Sequence, residues 1–364
     1  MEHEENDQAR ITKAEGNRNG EAQAIRRSLR CRASCFVIVS SFVICSLKTL
    51  HSISELSQLP GPIFLAIGVF DGVHRGHQAV ISTSAEHAHA ANETPVVVTF
   101  DPHPEKVLRP QAAPHLLSAT QHKIELIRAL GVGHLLVITF DKQFAATEPE
   151  DFVEDLVAHS KPLREICVGH EWSFGKNRRG NLDLLKKLGA KFDFEVVGIP
   201  PVKINNAVVS STAIRQAIEK GDLRQAAQML GREYTILGTV TRGDNLGKKI
   251  GFPTANLSAH SEQFPPNGVY AAEARIDGEL HRGVINLGVR PTLSSERSER
   301  VLEIHLFDFD RDIYGRDVEV RFLKFLRSEK KFETLDALVQ QIRHDVKEAR
   351  ALIIRADISQ RRSF

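Results

Sequence analysis

The chain is poor in cysteine, methionine, tryptophan and tyrosine. Its 364 residues include 4 Cys, 2 Met, 1 Trp and 3 Tyr, and no two cysteines form a CxxC pair. Cysteine this sparse argues against a disulfide framework and against a zinc ribbon. Cys167 stands in an apolar run, where we expect a small buried hydrophobe rather than a nucleophile.

An excess of charge of one sign is also missing. The chain has 48 Lys+Arg against 46 Asp+Glu, a net charge of +2. Such a balance provides no global field for a polyanion, so we expect no nucleic-acid partner beyond what a local groove could hold. Hydrophobic residues at 41% and charged residues at 26% are typical of a globular protein. At about 150 residues per domain, the length predicts roughly two domains.

Long hydrophobic runs are absent. The apolar run 34–47 is shorter than the roughly 20 residues that a bilayer span needs. The basic residues before this run resemble an export signal, but an A-x-A cleavage site is missing. A lipoprotein signal at Cys45 does not fit either, because bulky Ile44 precedes it where a small residue is expected. We therefore expect no membrane association. Residues 1–50 are interpreted as a disordered extension, or as sequence that a later start codon would omit.

Short apolar runs at 63–70, 95–100, 134–140, 164–169 and 194–199 read as buried strands. Helical stretches are expected between them, near 76–91, 120–130, 148–159 and 180–189, with Ser118 and Gln121 as a capping box for the second. Strands that alternate with helices predict an α/β domain with a parallel, Rossmann-like sheet. Ligands of such sheets bind at the carboxyl ends of the strands.

The texture changes after residue 232. Short β-like runs separated by turns, with a tight hairpin at Asp277-Gly278, predict a small antiparallel barrel or sandwich. A closing amphipathic helix is expected at 334–351. Helices at 213–219 and 222–230 would join the two parts. We therefore divide the chain into an extension, 1–50, a first domain, 51–231, and a second domain, 232–364.

The segment Gly68–His77, GVFDGVHRGH, follows the first strand and opens a helix. Glycines permit a tight turn, and the free N–H groups of a helix N-terminus suit a phosphate. His74 and His77 stand three residues apart, so both imidazoles can reach the same phosphates. No base is evident in the motif, and none is needed if the attacking group is itself a phosphate.

Three further segments are candidates for the same site. TFDPHP at 99–104 ends the second strand, and 169–180 mixes glycines, aromatic residues and cations. SSTAIR at 210–215 combines helix-capping hydroxyls with an arginine. Taken alone, each also fits an exposed turn, a solvated basic turn or an ordinary cap.

The second domain contains a glycine-rich loop, Gly243–Asn256, that ends in Pro-Thr-Ala-Asn. It lacks the spacing of a Walker A loop, although its glycines and lysines suit a phosphate cradle. Thr254 and Asn256 offer the hard oxygen ligands that suit Mg²⁺. Glu303 interrupts an apolar strand, where it either faces solvent by alternation or acts as a general base.

Together these motifs resemble the bifunctional riboflavin kinase/FMN adenylyltransferase (FAD synthetase) family of bacteria, from about residue 52 to residue 350. GVFDGVHRGH, TFDPHP and SSTAIR resemble its HxGH nucleotidyltransferase domain. GFPTAN at 251–256, NLGVRPT at 286–292 and LEIHLFDFDRDIYG at 302–315 resemble its kinase barrel. The resemblance implies transfer of phosphate from ATP to riboflavin, giving FMN, and then transfer of AMP to FMN, giving FAD and pyrophosphate. It also implies Mg²⁺ and a cytoplasmic location.

The resemblance implies roles for particular residues. The catalytic residues would be His74, His77, Ser211 and Arg215 in the first domain and Glu303, as base, in the second. Thr254 and Asn256 would hold Mg²⁺. The binding residues of the first domain would be Gly68, Phe70, Asp71, Gly76, His103, Glu171, Arg178, Ser210 and Thr212. Those of the second would be Gly243, Gly247, Lys248, Gly251, Pro253, Gly268, Tyr270, Asn286, Arg290 and Thr292.

The chain departs from the family pattern at four positions. Glu171 stands where the family usually has Asn or Asp, beside Trp172 in place of Phe. Asn177 replaces a common Gly, which matters if the turn needs positive φ, and Lys248 replaces an Arg. A kinase whose adenylyl site is impaired by Glu171, a non-catalytic flavin-binding regulator and another HxGH transferase are the alternatives. The last leaves the barrel unexplained.

Overall fold

The computed structural model describes residues 47–242, 247, 250–260, 263–290 and 299–361, with only the backbone at 290, 299 and 354–361. The predicted extension therefore lies outside the described residues up to residue 46. So do three predicted site residues, Gly243, Lys248 and Thr292, and the side chain of Arg290.

The first half is a six-stranded parallel sheet, as expected. Its strands run in the order β1-β4-β3-β2-β5-β6, and every neighbouring pair is parallel. The strands are β1 Lys48–Leu50, β2 Ile63–Ile67, β3 Thr94–Asp101, β4 His134–Thr139, β5 Leu163–Gly169 and β6 Glu195–Ile199. All five residues of β2 are buried, because helices cover both faces of such a sheet. Strand β1 corrects the predicted extension 1–50 at its end, because Lys48–Leu50 belong to the sheet.

Four of the helices that connect these strands lie close to the predicted positions, and two short ones, at 104–108 and 142–145, were not predicted. Together they are α1 Arg75–Ala91, α2 Pro104–Leu108, α3 Thr120–Arg128, α4 Lys142–Ala145, α5 Pro149–His159 and α6 Leu182–Phe192. Two short 3-10 turns occur at Ile53–Gln58 and Lys176–Arg178. The predicted capping box of α3 is wrong. Its N-cap is Ala119 without a side-chain hydrogen bond, because the Ser118 hydroxyl instead accepts the Gly72 amide.

A small hairpin and two helices lead to the second half. They are β7 Lys203–Ile204, β8 Ala207–Val208, α7 Ser211–Glu219 and α8 Leu223–Leu230. Ile214, Ile218 and Leu230 belong to the same apolar cluster as barrel residues such as Ile236 and Ile304. The two helices therefore share the hydrophobic core of the barrel.

The second half is a closed antiparallel barrel with strand order β10-β13-β12-β11-β14-β9. Its elements are β9 Thr235–Thr241, β10 Ala255–Ala259, β11 Gly268–Ile276, β12 Glu279–Arg290, β13 Glu299–Leu306, β14 Asp317–Arg327 and helix α9 Leu335–Arg361. The predicted hairpin is present. Asp277 and Gly278 have φ of 49° and 86°, which suits a two-residue turn between twisted strands. No helix of the described part is long and apolar enough to cross a membrane.

Candidate active sites

The loop between β2 and α1 is strained. Phe70, Gly72 and Val73 have φ of 51°, 77° and 40°. Glycine tolerates this region, but a β-branched residue such as valine does so at a cost of about 1–3 kcal/mol. Such a conformation persists only where surrounding contacts fix it.

Asp71 provides many of those contacts. Its buried carboxylate accepts the amides of Leu117 and Ser118, each at 3.0 Å, and forms an ion pair with Arg215. The Ser211 hydroxyl donates to the carbonyl oxygen of Asp71 at 3.1 Å. The SSTAIR segment thus docks on the GVFDGVHRGH loop, although 140 residues separate Ser211 from Asp71.

His74 and His77 lie together at the N-terminus of α1. Their rings stack with centroids 3.6 Å apart. Gly76 packs beside them, because an added Cβ would approach the His74 ring to 3.1 Å. His74 Nδ1 accepts the amide of His77 at 3.3 Å, so a neutral His74 carries its proton on Nε2. Among the described residues, none hydrogen-bonds to the buried Nδ1 of His77.

Both histidines are neutral at pH 7. Burial, then the charges of Arg232 and Arg215, lowers the pKa of His74 to about 4. Burial also lowers the pKa of His77, and His74 and Lys123 lower it further. A neutral imidazole still donates one N–H, so the pair can bind phosphate oxygens without a prior charge.

A buried lysine, which the sequence reasoning missed, ties the first two motifs together. Lys123 Nζ donates to the carbonyl oxygens of Val69 at 3.2 Å and Phe100 at 3.0 Å. These two carbonyls stand at the carboxyl ends of the adjacent strands β2 and β3. Burial lowers the pKa of Lys123 to about 8, against the opposing effect of Asp71 and Asp101. A lysine within an ordinary amphipathic helix gives no sequence signal for this role.

The TFDPHP turn meets the histidine loop from the side of β3. His103 caps α2 and accepts the Glu105 amide at 3.2 Å. Burial lowers the pKa of His103; Asp71 raises it and Arg215 lowers it. His103 therefore lies within electrostatic range of Asp71 and Arg215, the ion pair that secures the loop between β2 and α1. Because β3, β2 and β5 are neighbours, the sheet brings these motifs to one edge, as predicted.

An aromatic cavity of about 640 Å³ lies beside this edge. His103, Glu171 and Arg178 are among its lining residues, so three predicted binding residues come together there. The rings of Trp172 and Phe174 stack with centroids 4.5 Å apart. Aromatic side chains that the sequence reasoning did not single out complete the wall: Phe100, Phe140, Phe144 and Phe152. Such a cavity suits a planar ring system.

The turn that carries Asn177 and Arg178 does adopt positive φ, the conformation in which the family's usual glycine would be favoured over Asn177. Asn177 and Arg178 have φ of 55° and 57°. Asparagine tolerates this region better than most residues. Arg178 Nε donates to the Ser173 hydroxyl at 2.8 Å, and its guanidinium lies 3.8 Å from Glu105. Arg178 is thereby held at the cavity while remaining largely exposed.

The predicted kinase residues form a row across the barrel. Asn256 on β10 pairs with Glu303 on β13, which pairs in turn with Asn286 on β12. Leu302 and Ile304, on either side of Glu303, are each 1% exposed inside the barrel. Because side chains alternate along a strand, the row faces outward. It does not face bulk solvent there, because it lines a cavity of about 450 Å³.

Helix α9 forms the other wall of this cavity. Leu338, Ile342 and Val346 contribute its apolar surface. Asp345 anchors the helix, because its buried carboxylate accepts Arg327 Nε at 3.0 Å and Nη2 at 2.7 Å. Neither partner was predicted from the sequence, since their pairing depends on where α9 docks.

Several predicted residues occupy the rim or lie elsewhere. Gly247 and Thr254 line the cavity, and the Pro253 carbonyl accepts from His305 Nδ1 at 2.8 Å. Gly251 has φ of 84°, as a glycine-rich loop requires. Tyr270 is buried in the barrel core, where its hydroxyl donates to the Pro266 carbonyl at 2.5 Å. Gly268 and Tyr270 flank Val269, which does line the cavity.

The oxygen donors of this cavity fit a hard divalent cation. Thr254, Asn256 and Glu303 line it together. Mg²⁺ is commonly held by one or two protein oxygens together with the phosphates of its nucleotide. In the described part of the chain, no cluster of three or more His, Cys, Asp or Glu could hold a metal by itself. The donors present suit a cation that arrives with a nucleotide.

Comparison with known proteins divides the chain in the same way. Residues 57–213 match the FAD synthetase family, and residues 230–353 match the riboflavin kinase family. The bifunctional riboflavin kinase/FMN adenylyltransferase of Escherichia coli K12 is 37% identical over 306 residues, which cover 84% of this chain and 97% of that protein. The chain belongs to this family.

Other members extend the likeness. The bifunctional riboflavin kinase/FMN adenylyltransferase of Haemophilus influenzae is 38% identical and covers 79% of this chain and 93% of its own length. That of Bacillus subtilis is 36% identical, with 78% and 90% covered. A crystal structure described as a macrolide-efflux protein from Streptococcus pneumoniae has a TM-score of 0.70 and 30% identity, covering 82% of this chain and 97% of its own.

Proposed function

We propose that this chain makes FAD from riboflavin in two steps. The barrel transfers the γ-phosphate of ATP to riboflavin, giving FMN and ADP. The first domain then joins FMN to the AMP of a second ATP, giving FAD and pyrophosphate. The observation that carries the proposal is the presence on one chain of two cavities with different chemistry, one aromatic and lined also by His103 and Arg178, and one lined by Glu303, Thr254 and Asn256.

Adenylyl transfer needs binding and charge neutralisation more than proton transfer. A phosphate oxygen of FMN attacks the α-phosphorus of ATP, and the bond to the β-phosphate breaks to release pyrophosphate. His74 and His77 donate N–H groups to the phosphates at the N-terminus of α1. Arg215 adds positive charge, and Trp172 stacks against the flavin ring.

Phosphate transfer to riboflavin does need a base. Glu303 accepts the proton of the 5′-hydroxyl as its oxygen attacks the γ-phosphorus, and ADP leaves. Thr254 and Asn256 are proposed to hold Mg²⁺, which when bound would neutralise charge on the ATP phosphates. Leu338 and Ile342 exclude water from the flavin side.

We further propose two catalytic domains, 51–231 and 232–364, and a cytoplasmic location. Because strand β1 joins the sheet of the first domain, we move the start of that domain from residue 51 to Lys48. The location rests on chemistry alone, because both reactions consume ATP.

A time course tests the proposal. Purified full-length protein is incubated with riboflavin, ATP and Mg²⁺, and the flavins are separated by chromatography. We expect FMN to appear first and FAD to follow, with one pyrophosphate per FAD. Accumulation of FMN alone would mean that the first domain does not adenylylate FMN, and Glu171→Asn then tests whether Glu171 is the cause. Unchanged riboflavin would refute the kinase assignment.

A further inference from the structure

The strained loop of the first domain is held partly by a residue from the kinase side of the chain. Arg232 lies within the segment 230–353 that matches riboflavin kinases and outside the segment 57–213 that matches FAD synthetases. Its Nη2 donates to the carbonyl oxygen of Gly72 at 2.9 Å, and its Nη1 to that of Val73 at 3.3 Å. Both carbonyls belong to the loop with positive φ.

The local structure fixes Arg232 in this position. Gly231 ends α8 with φ of 75°, a left-handed cap that turns the chain sharply. An added Cβ at Gly231 would approach Gln78 Oε1 to 3.1 Å, so α8 ends directly against α1. Gln78 Nε2 also ties α1 to the end of α8, because it donates to the carbonyls of Val73 and Leu230, each at 2.8 Å.

Arg232 also acts on the first histidine. After burial, its charge is the largest influence that lowers the pKa of His74, ahead of Arg215. The guanidinium therefore lies within electrostatic range of the imidazole. A loop that must accept a triphosphate gains from a cation that offsets its own carbonyl oxygens, because those oxygens repel phosphate.

We propose that Arg232 is a positioning residue for adenylyl transfer, supplied by the kinase side of the chain. It holds the Gly72 and Val73 carbonyls, keeps the loop in its strained form and so directs the N-terminus of α1 toward the phosphates of ATP. This inference rests on the proposed function of the first domain. It makes the adenylyltransferase site incomplete without the segment that begins the kinase.

Three full-length variants test this role against simple interface packing. Arg232→Gln removes the charge, Arg232→Lys restores it without the planar fork, and Arg224→Gln is a matched control at an exposed position on α8. FAD synthesis from FMN and FMN synthesis from riboflavin are measured separately. The kinase reaction reports the folding of the same molecules.

We expect Arg232→Gln to lower kcat/KM for ATP in FAD synthesis by about 10- to 100-fold, as befits the loss of charged hydrogen bonds. Kinase activity should stay within about twofold of wild type, because Arg232 holds the loop of the first domain and does not line the kinase cavity. Arg232→Lys should recover part of the loss, and Arg224→Gln should show none. The pKa of His74, followed by NMR, should rise in Arg232→Gln because a nearby positive charge is removed.

Two results would overturn the inference. One is FAD synthesis that is unchanged in Arg232→Gln. The other is a loss of FAD synthesis and FMN synthesis to the same extent, in both Arg232→Gln and Arg232→Lys, which indicates packing alone. Wild-type protein that makes no FAD from FMN would instead refute the proposed function. In that case the His74 titration still decides whether Arg232 acts on this loop.

Discussion

Replacing Lys123 by methionine should separate stability from activity in the first domain. The side chain is 5% exposed, and methionine has a similar length without the charge. Lowering the pKa of Lys123 from 10.5 to about 8 corresponds to about 3 kcal/mol against the buried charged form. The variant escapes that cost but loses two charged hydrogen bonds, worth about 1.5–3 kcal/mol each. The net change in the free energy of unfolding at pH 7 should therefore be small, within about 3 kcal/mol.

Activity in the first domain should fall even where the free energy of unfolding changes little. The carbonyls of Val69 and Phe100 lose the cation that joins the ends of β2 and β3. We expect kcat/KM for FAD synthesis to fall about 100-fold, because small displacements of catalytic groups are costly. FMN synthesis by the barrel should not change.

The pH dependence gives an independent check. The folded pKa of Lys123, about 8, lies below its unfolded value of about 10.4, so unfolding takes up a proton between these values. As the pH rises from 8 to 10.4, the free energy of unfolding of wild type should therefore increase by up to about 3 kcal/mol relative to that of Lys123→Met. Denaturant titrations at several pH values measure this difference. A pH-independent difference, or FAD synthesis unaffected in Lys123→Met, would refute the reasoning.

Three further predictions concern the other groups. Trp172→Ala should raise KM for FMN about tenfold, since a stacking surface is lost, and initial rates of FAD formation against FMN concentration measure it; an unchanged KM would mean that the flavin binds elsewhere. Asp345→Asn should lower the free energy of unfolding by about 3–5 kcal/mol, because it leaves the Arg327 charge without its partner. Urea titration measures this loss, and the control Asp336→Asn, at an exposed position of α9, should show almost none. His74 has a folded pKa of about 4, below its unfolded value of about 6.5, so wild-type stability should fall as the pH falls from 6.5 to 4. His74→Gln should flatten that dependence in thermal melts, and an unchanged slope would contradict the pKa.

Much of the fold follows from local patterns in the sequence. Apolar runs and helix periods predicted five of the six sheet strands and the four longer helices between them, because those elements are long enough to show a period. The short helices Pro104–Leu108 and Lys142–Ala145 were missed. Strand β1 was missed because three residues, Lys48–Leu50, carry no period. Ser118 was misread as a helix cap because its partner, Gly72, lies 46 residues away.

The candidate sites were predictable only in part. Motifs that follow strands indicated which edge of the sheet would hold them, and the sheet order brings them together. The contacts that hold those motifs were not predictable. Lys123, Arg232 and the pair Arg327–Asp345 look like ordinary charged residues in the sequence and acquire a role only when distant elements pack.

The central claim is that one chain carries two separate transfer sites used in sequence. The most direct measurement follows the flavins formed by His77→Asn, by Glu303→Gln and by a mixture of the two. We expect His77→Asn to convert riboflavin to FMN only, and Glu303→Gln to convert FMN, but not riboflavin, to FAD. The mixture should make FAD from riboflavin. Loss of both reactions in either variant, or a mixture that forms no FAD, would contradict the account.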